Sequence, residues 1–485
     1  MKIRSVWSSA AAALTVAVAL AGCGGTSYFA GRNLPPSGLT NRVLIAVQNP
    51  SAFSHGALAF VDAYYDTRSS YSGKTSSFAI SGYSGSLPIT IQNMPEEQLG
   101  VVYGSGDGSL TPVSYAKEAA SGSTSGLNGN SASIYETRNQ SYVFAASQNS
   151  RVLTVVDHVA GSTYPLSLPG VYRVSVNPGG SMALAFVQNS NYAYYPVKLS
   201  SAQTTNYSGG PSTWPLGATD CEPQNAPVWC LIQALDPSST KGNLKPLAFD
   251  RPVKAVFSTD GGTAYVLNCG PECGGTKASV SILPVAPMIF LVGQGSGTLP
   301  TNATLASSTI AIPGGASNAL VDSSTLYVVG QQPQQVSGET LFAGNLTSVN
   351  LSTNTASTPV SISDGAPGAP SRMIEADNST LWIGMTKCNL GVRAATGQAY
   401  GCLTMVNIST PSAPKVTLLE PYLGDATGIA AVTGLNKIYT AEGGQVYIYT
   451  TTDGAALDNQ YVTVTGTAWD VAYMDATTDA NNTVY

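Results

Sequence analysis

The sequence predicts an all-β fold assembled from repeated small sheets, and three observations carry that prediction. The first is composition. Gly (50) and Pro (29) are abundant among 485 residues while charged residues make up only 10%. A helix interior loses about 1 kcal/mol per Gly and about 3 per Pro. The second is the 25 tyrosines and many Val-rich runs, which suit half-buried pleated surfaces. No segment shows a sustained helical period with caps. The third is a recurring unit: an apolar strand, a Gly-containing turn, a second apolar strand and then a third.

Taken in chain order, Arg42–Val47 and Ala57–Asp62 read as later strands of a unit that lacks its first. A looser copy has Ser141–Ala146 and Arg151–Asp157. The fullest copy runs Val171–Val176, Asn177-Pro-Gly-Gly180, Met182–Val187 and Tyr192–Leu199. The next has Pro252–Phe257, the turn Ser258-Thr-Asp-Gly-Gly262, Thr263–Leu267 and Ala278–Leu283. Such turns supply the positive φ of tight hairpins. Further copies are Ser324–Val329 with Leu346–Leu351, Thr380–Gly384 with Leu403–Ile408, and Asn436–Thr440 with Gln445–Tyr449. The chain closes on Ala468–Tyr473 and Asn482–Tyr485, which read as first strands.

Units of three or four short strands, about 40 to 80 residues apart, define the blades of a β-propeller. No blade buries both its faces alone. The prediction is a ring of seven or eight blades over residues 42–485, one of them shared by the two ends. Candidate inner strands fall near residues 89, 134, 172, 253, 318, 372, 428 and 469. Sharing a blade removes open sheet edges. Ala264-Tyr-Val266 and Thr154-Val-Val-Asp157 resemble the YVTN-type propeller repeat. That resemblance implies a fold, and lactonase-like hydrolases are similar to it.

The N-terminus is a separate signal. A charged start (Met1-Lys-Ile-Arg4), an apolar run from Ala10 to Ala21 and Leu20-Ala-Gly-Cys23 describe an export signal. The apolar run is about a dozen residues, short of the roughly 20 that span a bilayer. Leu20–Cys23 resembles the lipobox of bacterial lipoproteins. The resemblance implies a signal peptide over 1–22, lipidation of Cys23 and a flexible tether over 23–41. It also implies a membrane partner held through the lipid. Gly24, where an aspartate would resemble an inner-membrane retention signal, points to the outer membrane.

Six cysteines remain: Cys221, Cys230, Cys269, Cys273, Cys388 and Cys402. An even number in an exported chain favours disulfides. Proximity suggests the pairs 221–230, 269–273 and 388–402, which pin loops. Zinc would need more nitrogen or sulfur ligands, and the chain has only His55 and His158. No metal site and no cofactor are expected.

The net charge of −6, with no basic cluster, argues against nucleic acid. Catalytic patterns are missing. Gly104-Ser-Gly-Asp-Gly108 lacks a strand–helix setting for phosphate and the spaced carboxylates of a calcium loop, so it reads as a hairpin turn. His55 and His158 have no visible nucleophile or acid partner. Asp62 and Asp157 end third strands and read as turn caps. Three charges remain at matching places just inside inner strands: Arg173, Arg372 and Asp470, with Arg138 and Lys254 near that position. They are the candidates to ring one mouth of the channel and hold an anionic or polar ligand. Tyr64, Tyr65, Tyr192, Tyr194, Tyr195, Tyr447 and Tyr449 offer contact faces for protein or glycan if exposed. The expectation is a monomeric envelope lipoprotein acting as a binding or scaffold module, the alternatives being a lactonase-like hydrolase or a subunit of an envelope assembly complex.

Overall fold

The computed structural model describes residues 32–51, 55–68, 78–123, 127, 131, 133–198, 229–238, 245–291, 308–336, 338–364, 368–388, 400–419 and 423–478. Eight antiparallel sheets form a closed β-propeller. The seven-blade alternative is thereby corrected, because the weaker early units each form a complete sheet of their own.

The inner strands, in ring order from blade 1 to blade 8, are Thr467–Tyr473, Pro88–Met94, Ser133–Glu136, Val171–Val176, Pro252–Phe257, Asn318–Asp322, Pro370–Ala376 and Ala426–Val432. All eight lie at the positions expected. In blade 1 the C-terminal strand Thr467–Tyr473 pairs with the N-terminal strand Arg42–Gln48, which pairs with Gly56–Asp62. Its outer edge is covered by residues 78–80, where the Phe60 N–H donates to the Phe78 carbonyl at 3.2 Å. The strand expected at Asn482–Tyr485 lies outside the described residues.

Alternation builds the ring. A strand sends successive side chains to opposite faces. Val43, Ile45 and Val47 therefore pack against Ala430, Tyr439 and Ile448 of blade 8. Leu44 and Ala46 pack on the other face, with Ile91 and Val102 of blade 2. Blade 4 repeats the arrangement: Leu184 and Phe186 face blade 5, Ala183 and Ala185 face blade 3. Each of the eight blade-to-blade interfaces has such an apolar core. Fully burying a Leu or Phe contributes roughly 1.5–3 kcal/mol, so a blade without neighbours would leave both its cores in water.

The turn after Val176 shows how sequence ends a strand. The Met182 N–H donates to the Asn177 side-chain carbonyl at 2.9 Å, and Gly180 takes φ 68°. That left-handed conformation favours glycine.

The seam carries a buried ionic staple. Arg42 donates to Asp475 at 2.6 Å and to Glu118 at 2.8 Å. Arg42 also donates to the Tyr115 carbonyl at 2.7 Å. One cation thus joins the N-terminal strand, the C-terminal tail and blade 2. Upstream, Ser37 donates to Glu118 and Pro35 is buried, so residues 32–41 lie against the propeller.

Cys269 pairs with Cys273 and Cys388 with Cys402, as proximity suggested. Cys230 is disulfide-bonded, while Cys221, its expected partner, lies outside the described residues. Cys388 and Cys402 flank the connection between two paired strands. They sit in the core between blades 6 and 7, on the paired strands Thr380–Cys388 and Tyr400–Asn407.

Candidate functional site: an axial cavity lined by cations

The inner strands begin irregularly, and the site follows from that. Register shifts occur between Pro88 and Thr90, Val171 and Arg173, Pro252 and Lys254, Pro370 and Arg372, and Ala426 and Gly428. Blade 1 has its own, with Ala46 opposite Asp470 and Val47 opposite Ala468. A bulge re-aims the side chain next to it. The residue just past each bulge is therefore equivalent around the axis: Thr90, Arg173, Lys254, Arg372, Gly428 and Asp470.

Arg173, Lys254 and Arg372 line one cavity of about 380 Å3 at the mouth where inner strands begin. Ser133, Ser317 and Asn318 complete much of its polar wall. Lys254 is 3% exposed and its Nζ donates to Asn318 Oδ1 at 2.8 Å. Burial, and then the charges of Arg173 and Arg372, hold its amine well below the usual lysine range. Arg173 donates weakly to the Ser317 carbonyl at 3.5 Å, and its guanidinium lies 5.8 Å from the Tyr172 ring centre. Its pKa is also lowered, first by burial. Among the described residues no carboxylate lies within ion-pair distance of Arg173 or Lys254.

Arg372 and Asp470 meet across blade 8. The guanidinium lies 3.8 Å from the Asp470 carboxylate and donates to the Thr427 carbonyl at 2.9 Å. The equivalent position in blade 8 is Gly428, and a Cβ there would sit 2.7 Å from the Asp470 Cα. Glycine at that point lets the ion pair span a blade. Asp470 also accepts the Ile91 N–H at 2.8 Å and is 2% exposed, so it braces Arg372 from behind the cavity wall.

Two groups at this mouth escaped the sequence reading. The loop closed by Cys269–Cys273 carries Glu272 to the cavity, where it accepts the Gln331 N–H at 2.9 Å. Burial raises its carboxyl. Tyr172 lines the wall, its hydroxyl pushed up to about 12 by burial. The Cys-x3-Cys spacing was the available signal for the first, since a pinned loop must lie over something.

Arg138 does not join the ring at this mouth. It follows the end of its inner strand and lines a second cavity of about 540 Å3 at the opposite mouth. There it faces Glu96 at 3.4 Å, with Asp322 and Glu375 on the same wall. The physical reason is strand direction: residues beyond the end of an inner strand emerge at the far mouth. Lys254 lines both cavities and separates them.

The remaining candidates have structural roles. Asp62 accepts the Tyr64 N–H at 3.0 Å and Asp157 the Ala160 N–H at 2.9 Å, as turn caps do. Asp157 also holds Lys198 at 2.6 Å and the Trp229 indole N–H at 3.1 Å. Asp107 caps its own hairpin by accepting the Ser109 N–H at 3.1 Å. Neither histidine lines the cavity, and His158 lies 4.0 Å from Glu136. Tyr64 and Tyr65 are exposed at 60% and 61%, whereas Tyr195 and Tyr449 are buried in blade cores. Among the described residues no group of His, Cys, Asp and Glu could hold a metal ion, and no helix is long and apolar enough to cross a membrane.

No family model matches this chain, and no curated protein does. Among solved structures it is similar to the dihydro-heme d1 dehydrogenase NirN in complex with DHE, at 11% identity, TM-score 0.50, covering 88% of this chain and 74% of that one. It is also similar to Kuenenia stuttgartiensis hydrazine synthase, at 13% identity and TM-score 0.46 over 76% of this chain and 96% of that one. A protein from Lactobacillus plantarum matches at 10% identity and TM-score 0.42 over 89% and 99% of the two chains. At such identities the likeness extends to the fold alone, and function in propellers resides in the site.

Proposed function

We propose that this protein is a lipid-tethered binding module of a bacterial envelope, and that its ligand enters the axial cavity through an anionic group. One observation carries the reading: three cationic side chains from blades 4, 5 and 7 converge on one cavity, two of them without a carboxylate in ion-pair distance among the described residues. Guanidinium groups bind carboxylate and phosphate groups in a fixed fork geometry. A cavity of about 380 Å3 accepts a small molecule or the end of a glycan rather than a protein surface.

The tether geometry supports the same reading. Arg32 donates to the carbonyls of Pro95 and Ala476, just past the ends of two inner strands. That is the mouth opposite the cationic cavity. Cys23 stands nine positions earlier, a span of at most ~30 Å. Lipid on Cys23 would hold the acidic mouth toward the membrane and leave the cationic cavity facing away. Gly24, in place of an aspartate that would resemble an inner-membrane retention signal, favours the outer membrane.

Binding of acidic sugars and small organic acids, screened by thermal shift, tests the reading. Arg173→Ala with Arg372→Ala should weaken any hit about 10- to 100-fold per charge-assisted hydrogen bond lost. An identical response from the double variant refutes the site. Labelled fatty acid should enter the wild type and not Cys23→Ala. A lactonase-like reading uses the same cavity, but no histidine lines it and Glu272 is already engaged by a backbone N–H. Lactone turnover abolished by the double variant would support that alternative.

A further inference from the structure

The cavity contains one cation that differs in kind from the other two. Arginine stays protonated throughout the accessible range, whereas lysine loses its proton readily when buried among like charges. Lys254 sits at the floor, between the two cavities, and among the described residues its amine donates to one acceptor, the Asn318 amide oxygen. The charged and titratable groups around it are few. Arg173, Arg372 and Glu272 line the cavity above, and Glu272 accepts a backbone N–H rather than the amine. Arg138, Asp322, Glu375 and Glu96 line the cavity below, where Glu96 is engaged with Arg138.

We infer that the axial cavity is a proton-coupled site for a small doubly charged anion, in which Arg173 and Arg372 supply fixed charge and Lys254 takes up a proton as the anion enters. This rests on the cavity being a ligand site at all. The charge count sets the class. Asp470 offsets Arg372 in part and Glu272 is turned to the Gln331 N–H, so that among the described residues Arg173 and a protonated Lys254 have no carboxylate within ion-pair distance. A dianion balances them, and a sulfate-like or dicarboxylate group also uses the donors of both guanidinium groups. The lowered basicity of buried Lys254 fits this role, because an arriving anion stabilises the ammonium form. The balance is simple: one solvent proton joins the amine, and no covalent bond between ligand and protein forms or breaks.

The sign follows from linkage. The amine binds its proton more tightly with the anion present, so binding takes up protons and weakens as pH rises. The affinity should fall by about tenfold per pH unit between the two amine pKa values. Sulfate and malonate are suitable probes, because both stay doubly charged above neutrality. Calorimetric titration of each, in two buffers of different ionisation enthalpy, counts the protons directly. The expected result is uptake approaching one proton per site, with the two probes separating tetrahedral from dicarboxylate recognition. Lys254→Met should still bind through the arginines, more weakly and with no uptake. Binding by the wild type without proton uptake overturns this inference while leaving the ligand reading intact. No binding of any acidic ligand overturns the ligand reading itself.

Discussion

Replacing Arg42 with methionine tests the claim that the ring is fastened where its two ends meet. The guanidinium is 4% exposed, and the two carboxylates that it joins, Asp475 and Glu118, are 3% and 8% exposed. Methionine fills most of the volume but leaves two buried carboxylates facing an apolar chain. Breaking a buried ion pair by removing one partner costs about 3–5 kcal/mol, because the remaining charge is uncompensated. The lost bond to the Tyr115 carbonyl adds about 1 kcal/mol. The expected loss is therefore about 4–6 kcal/mol, read as a shift in the urea midpoint followed by tryptophan fluorescence. Hydrogen exchange should show Arg42–Gln48 and Thr467–Tyr473 opening first. Adding Asp475→Asn to the variant should recover part of the loss, since that removes one stranded charge. A loss below about 1 kcal/mol, with unchanged exchange at the seam, would refute the assignment of the staple.

Two further outcomes follow from other buried groups. Glu442 is 1% exposed and burial pushes its carboxyl up to about 7, against an ordinary value of 4.5. Between those values the unfolded chain has released its proton and the folded chain has not, so wild-type stability falls as pH rises through that window. Glu442→Gln should therefore gain on the wild type by about 3 kcal/mol between pH 4.5 and 7, seen as diverging unfolding midpoints; parallel curves would contradict it. The Cys388–Cys402 bond closes a 14-residue separation inside the core between blades 6 and 7. Replacing both with alanine should cost about 3 kcal/mol or more and lessen the wild type's sensitivity to reductant.

Much of the architecture was legible because strand signals are local. Val171–Val176 and Pro252–Phe257 announce themselves through apolar runs and the Gly turns that follow. The shared blade was legible for a related reason: Arg42–Gln48 has a later strand's pattern with no first strand before it, and Thr467–Tyr473 supplies one. The number of blades was not settled by pattern, because loop insertions of different length blur the period. Arg138 was misplaced because a shift of a few residues along an inner strand carries a side chain from one mouth to the other.

The sequence by itself determined the sheets, the closed ring and the positions of Arg173, Arg372 and Asp470 on their strands. Each of these depends on alternation or turn chemistry within a short stretch. Only the tertiary structure decided that Lys254 sits beneath the two arginines, that Gly428 makes room for Arg372 to reach Asp470, and that a disulfide-closed loop brings Glu272 to the mouth. Those facts depend on where separate blades converge around an axis. Bulge geometry and ring curvature set that convergence, and no single stretch of chain encodes either.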